Sequence, residues 1–127
     1  MSDEDQSGLY AQVLGSVVAH YREQSGLNQK GLAEQVGVTQ TTISRLERGE
    51  VQGSVFVVRG IAAALEFESV GEFLDEVEDV FVKSSEKAEA AQTANTPTWL
   101  LVAAGAGVGV LALAIASVLN EKKGPKS

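Results

Sequence analysis

The sequence predicts an all-α fold: a five-helix domain followed by a linker and a single membrane-spanning helix. Three observations carry that reading. Apolar residues recur every three or four positions through the first part of the chain, residues that start and stop helices stand between those runs, and Trp99–Leu119 holds no charged residue. At 127 residues the chain has room for one compact domain beside such a segment.

The first helix follows from Leu9, Val13, Val17 and Tyr21, spaced four apart with Leu14 and Val18 beside them, an amphipathic stripe that Ser25 and Gly26 end. Asn28 can cap a short second helix carrying Leu32, Ala33 and Val36, stopped by Gly37. Thr39 caps the third, in which Ile43 and Leu46 face inward while Gln40, Thr41, Thr42, Ser44, Arg45 and Arg48 stay polar. Two short helices meeting at Val36-Gly37-Val38-Thr39 make a helix-turn-helix. Ser54 opens a fourth helix through Leu65, with Val55, Val58, Ile61, Ala62 and Leu65 as its expected buried side and Gly60 as a weak point. Ser69 with Glu72 forms a capping-box pattern for the fifth, whose apolar positions are Val70, Phe73, Leu74, Val77 and Phe81.

These elements divide the chain into an acidic tail (1–8), a helix-turn-helix domain (9–81), a linker (82–97), a membrane helix (98–120) and a basic tail (121–127). The linker is rich in Ser, Lys, Glu, Ala, Gln and Thr and ends in Asn95-Thr96-Pro97; its first part can extend the fifth helix.

Composition excludes several functions. The chain has no cysteine and one histidine, His20, so neither a disulfide framework nor a clustered metal site is expected. No nucleophile, base and carboxylate arrangement and no glycine-rich phosphate loop appears, so neither catalysis nor a cofactor is expected. Net charge is −7, unfavourable for phosphate binding as a total, yet the acids concentrate at residues 3–5 and 66–79. Between Leu9 and Leu65 five basic residues face four acidic ones.

The segment Gly26-Leu27-Asn28-Gln29, Leu32-Ala33 and Val36 to Gly49 resembles the Cro/cI-type (XRE) helix-turn-helix family and is similar to lambdoid phage repressors. The likeness runs from Leu9 to about Asp79 and rests on the opening Gln, the Leu-Ala pair, the turn Gly, the Ile-Ser and the final Glu-Arg-Gly. It implies that the third helix enters the major groove of double-stranded DNA. Gln40, Thr41 and Arg45 would then reach base edges, since Gln pairs with adenine, Arg with guanine and a Thr methyl with thymine. By the same resemblance Asn28, Gln29, Thr39, Thr42 and Arg48 would approach phosphates, and Arg22 and Glu47 would form a structural pair between the first and third helices.

Trp99–Leu119 is long enough, at about 1.5 Å per residue, to cross a hydrocarbon core of about 30 Å, with Trp99 at one interface. Gly105 and Gly109 form a GxxxG at which a second helix could approach, suiting a homodimer. The start of the chain, Met1 to Ser7, has no apolar run behind basic residues and does not read as a secretory signal. Lys122, Lys123 and Lys126 slightly favour a cytoplasmic C-terminus, but translocating eight residues is easier than translocating the domain, so a cytoplasmic N-terminal domain is expected.

Two functions fit. One is a membrane-anchored, sequence-specific transcriptional repressor acting as a dimer. The other is a RodZ-like membrane adaptor whose helix-turn-helix grips a protein partner, favoured by acidity and tethering. The acid-free polar face of the third helix favours DNA.

Overall fold

A computed structural model of the chain describes residues 3–93 and 108–122. The described residues form six helices in order: α1 (Asp3–Gln24), α2 (Gln29–Val36), α3 (Gln40–Glu47), α4 (Val55–Ala64), α5 (Val70–Thr93) and α6 (Val108–Asn120), with no strand among them. They fall into two compact units, one holding the described residues up to Val77, the other Glu78–Lys122.

In the first unit the apolar stripe of α1 becomes core: Val13, Val17, Val18 and Tyr21 are buried, as are Leu32 of α2 and Ile43 and Leu46 of α3, and α1 packs on α3. Tyr21 stands edge-on to Phe67 at 5.3 Å, and Phe67 edge-on to Phe73 at 5.2 Å, so an aromatic chain joins α1 to the start of α5. The Tyr21 hydroxyl donates to Glu76, which gives its polar tip a partner.

The expected caps form. Side-chain oxygens of Asn28, Thr39 and Ser54 accept from the backbone N–H groups of Gly31, Thr42 and Val57, satisfying one otherwise unpaired donor in each first turn. Ser69 Oγ likewise accepts from Glu72 N at 3.1 Å, while the Glu72 carboxylate reaches Glu68 N–H at 3.2 Å, one residue before the position of a standard capping box.

Several expectations need correction. α1 starts at Asp3 rather than Leu9, so the backbone of the expected tail from Asp3 on is helical. α5 runs to Thr93, so the first part of the expected linker extends the fifth helix as its composition allowed, over a stretch of good helix formers in which Lys83 lies 3.2 Å from Asp79 one turn away. Val55 is 81 % exposed and Leu74 39 %, because α4 and α5 bury narrower stripes, Val58–Ile61–Ala62 and Phe73–Val77, than periodicity alone suggests.

Of the expected membrane helix 98–120, the structure describes only the part from Val108. α6 has 13 residues, about 20 Å at the α-helical rise, and no described helix is long and apolar enough to cross a membrane. Trp99, Gly105 and the rest of 94–107 lie outside the described residues, as does the tail beyond Lys122; Gly109 stands in the first turn of α6. Within the second unit, Lys87 Nζ donates to Ser117 Oγ at 2.9 Å and lies 3.6 Å from Glu121, while Lys122 Nζ donates to Asp79 Oδ2 at 2.9 Å. These ties run α5 and α6 antiparallel, and Ala114, Ile115, Val118 and Leu119 are buried on one face of α6.

Candidate nucleic-acid interface

The turn between α2 and α3 is built by local chemistry. Gly37 adopts φ 87°, which a side chain would strain, and its N–H returns to Ala33 O at 2.8 Å. Two residues later Thr39 starts α3, and its hydroxyl also meets that of Thr42 at 2.9 Å.

α3 contains one acid, Glu47, and it is turned inward. Arg22 Nε donates to Glu47 Oε2 at 2.6 Å and Arg22 Nη2 to Oε1 at 3.2 Å, with the two side chains only 12 % and 6 % exposed. Gln29 Nε2 is the third donor to the carboxylate, reaching Oε1 at 2.8 Å, and Arg22 Nη1 satisfies Leu27 O at 2.8 Å. The carboxylate is therefore held by α1 and α2 together, and its hydrogen bond keeps Arg22 above its ordinary pKa.

With Glu47 withdrawn, the outward side of α3 presents exposed Gln40, Thr41, Arg45 and Arg48, the last at the helix C-cap. A shallow cleft of about 330 Å³ brings Gln29, Gln40, Thr41, Ser44 and Arg48 together. Asn28, Thr39, Thr42 and Arg45 are not in its lining. Asn28 and Thr39 spend a side-chain oxygen on their caps, and Gln29, expected at a phosphate, donates to Glu47.

Sequence reasoning missed Glu50. Arg48 Nε donates to Glu50 Oε2 at 2.6 Å, Arg45 Nε lies 3.6 Å from Glu50 Oε1, and Arg48 Nη1 donates to Ser44 Oγ at 2.5 Å. The hydrogen bond from Arg48 chiefly, with a smaller contribution from Arg45, holds the Glu50 carboxyl below its ordinary range, and Arg48 is correspondingly raised. The available signal was a carboxylate just past a helix end that carries two arginines. Gly15 was also missed: it is the point where α1 meets the backbone of α3.

Among the described residues no group of His, Cys, Asp or Glu could hold a metal ion. His20 sits edge-on to Tyr21 at 5.0 Å with its Nε2 buried, on α1 and outside the α3 cleft.

Comparison with known proteins places this geometry. A model of the helix-turn-helix domain family matches residues 13–73. An uncharacterized HTH-type transcriptional regulator of Methanothermobacter thermautotrophicus is 35 % identical over 74 residues, 58 % of this chain and 97 % of that protein. The crystal structure of the clp gene regulator ClgR from Corynebacterium glutamicum superposes with a TM-score of 0.60 at 23 % identity, covering 69 % of this chain and 96 % of that one, a likeness of fold. The α2–turn–α3 unit, with its caps, its glycine turn and the relative matched over nearly its whole length, makes this chain a member of the helix-turn-helix domain family.

Proposed function

We propose that the chain is a sequence-specific DNA-binding transcriptional regulator, with α3 as the helix that enters the major groove. One observation carries the reading: the only acid of α3 is turned inward onto Arg22, so the exposed polar face of the helix carries none of its own. On that face Gln40, Thr41 and Arg45 contact bases. Asn28, Thr39, Thr42 and Arg48 position the phosphate backbone, with a lesser part for Gln29 because of its bond to Glu47. The similarity to an HTH-type transcriptional regulator supports the same class.

The regulator acts as a homodimeric repressor on paired half-sites, its N-terminal domain in the cytoplasm. It is held at a membrane by residues 98–120, with Gly105 and Gly109 at the helix contact. The support for the anchor is the uncharged run Trp99–Leu119; it requires residues before Val108 to extend α6 and α6 to leave its ties to α5. Selection of full-length protein against random duplex DNA tests the DNA reading: enrichment of a paired sequence is expected, and no enrichment over bulk DNA at low salt overturns it. Carbonate extraction of cell membranes tests the anchor, which fails if the full chain washes off.

A specific observation favours the adaptor as a second reading. Val55 and Phe56, adjacent at the start of α4, are 81 % and 75 % exposed, an apolar pair suited to a protein partner. Under this reading Phe56→Ser abolishes co-purification of a partner that the unaltered chain retains, while DNA selection yields nothing.

A further inference from the structure

Glu50 is held in place by the way α3 ends. Gly49 adopts φ 76°, its N–H bonds to Leu46 O at 3.0 Å, and the Glu50 N–H reaches back to Arg45 O at 3.0 Å. Together these form a Schellman stop, with Gly49 at the left-handed position and Glu50 immediately after it. A Cβ on Gly49 would also stand 2.9 Å from Gln12 Cα, so α1 fixes this corner from the other side. From a backbone pinned to Arg45, the Glu50 side chain places one oxygen 2.6 Å from Arg48 Nε and the other 3.6 Å from Arg45 Nε.

The three groups behave as one cluster of net charge +1. Their side chains are 56 %, 57 % and 45 % exposed for Arg45, Arg48 and Glu50, so the cluster is open to an approaching duplex. Any phosphate drawn to Arg48 must displace or sit beside a carboxylate, which weakens attraction to every sequence alike. At Arg45 the same carboxylate has the opposite effect. As an ion pair at 3.6 Å on the Nε side, it attracts that edge of the guanidinium and leaves the Nη donors for an acceptor, an orientation compatible with bidentate pairing with guanine.

We infer that Glu50 is a specificity-determining residue for the DNA binding proposed above: it suppresses sequence-independent attachment through Arg48 while orienting Arg45 for base readout. The inference rests on that functional reading. Glu50 itself touches no base; it acts through the two arginines.

The test compares full-length protein, Glu50→Gln, and Glu78→Gln as a charge-matched change outside the cluster, on a selected site and on unrelated duplex across a salt series. Glu50→Gln is expected to bind unrelated duplex roughly tenfold more tightly at about 50 mM salt, with a salt slope steeper by about 0.9, the value of one additional phosphate neutralised. Discrimination at the base pair read by Arg45 falls, and in an Arg45→Ala background Glu50→Gln no longer alters it, an outcome that a merely structural role would not give. Unchanged slope and discrimination, or equal effects from Glu78→Gln, overturn the role of Glu50 while leaving DNA binding intact. If none of the proteins, Glu50→Gln included, binds any duplex at low salt, the functional reading itself falls, and this inference with it. Matching thermal melting of the variants confirms that the comparison is between folded proteins.

Discussion

A Cβ placed on Gly15 would stand 2.3 Å from the carbonyl oxygen of Leu46 and 2.7 Å from that of Glu47, so α1 and α3 meet backbone to side at a residue with no side chain. The contact lies at the C-terminal end of α3 and limits how closely α1 and α3 can approach. Gly15→Ala must push α3 away, because the obstacle is backbone rather than a flexible side chain. We expect a loss of about 1–3 kcal/mol, the range for overpacking a filled interior, read as a fall in the urea midpoint. A midpoint unchanged from the parent protein would mean that the helices separate without cost.

The Arg22–Glu47 pair should respond differently to single and double changes. Arg22→Met leaves a carboxylate that is 6 % exposed with Gln29 as its remaining side-chain donor, and should cost about 2–4 kcal/mol. Replacing both residues, as Arg22→Met with Glu47→Leu, removes the stranded charge and should recover most of that loss. Chemical denaturation of the four proteins of the cycle measures the coupling; strictly additive losses would show that the pair contributes nothing as a pair.

The helix caps were legible in the sequence because each is a local event. Asn28, Thr39, Ser54 and Ser69 need only their own first turn, and all four form. Tyr21, Ile43 and Leu46 were legible as core because their stripes are narrow and unbroken. Val55 was not: it continues the spacing of Val58 and Ile61 but stands at the first position of α4, mostly in solvent. Gly15 gave no signal because a close approach depends on the crossing of two helices distant in sequence. Glu50 was hidden by being counted as a charge rather than placed in space. For α6, hydropathy records a preference for leaving water and does not distinguish lipid from the face of α5.

Glu66 is the one non-glycine among the described residues with positive φ, at 68°, and it ends α4 through bonds from its own N–H to Ala63 O and from Phe67 N–H to Ala62 O. That left-handed conformation costs a side-chain-bearing residue about 1–2 kcal/mol, whereas glycine adopts it freely but loses more chain entropy on folding. Glu66→Gly should therefore stabilise the first unit by about 0.5–1 kcal/mol. A lowered melting temperature would show that the Glu66 side chain supplies a contact worth more than the strain.

The α5–α6 tie should be sensitive to acid. The hydrogen bond from Lys122, ahead of that from Lys83, holds Asp79 below its ordinary pKa of 3.8. A depressed carboxyl contributes stability that is complete above its ordinary value and is lost as pH falls through the lower, folded-state value. In lipid-free solution, nitroxide labels at the exposed positions Val82 and Leu113 should separate as pH is lowered below about 3.8, and Asp79→Asn should remove that pH dependence. Equal titration of both proteins would assign the acid response to other groups.

Arg45 and Arg48 lie three residues apart and share Glu50, yet the DNA reading gives them separate tasks, and the separation can be measured. Arg45 is on the exposed side of α3 one turn after Thr41, where bidentate pairing with guanine is possible; Arg48 is at the helix end, hydrogen-bonded to Ser44 within the polar cleft. Arg45→Ala should cost about 1–3 kcal/mol on the selected site and relax preference at one base pair, with little loss on unrelated duplex. Arg48→Ala should weaken binding to all sequences alike and flatten the salt slope, by less than the ~0.9 expected of a fully available cation because Glu50 already offsets part of its charge. Removing Arg48 also leaves Glu50 with Arg45 alone, so base preference should be kept or sharpened. Combining Arg48→Ala with Glu50→Gln isolates the contribution of Arg45: preference at its base pair should then fall while affinity for unrelated duplex returns toward that of the parent. Equal and sequence-independent losses from Arg45→Ala and Arg48→Ala would mean that α3 meets DNA through charge alone and that the groove-facing side chains do not read it.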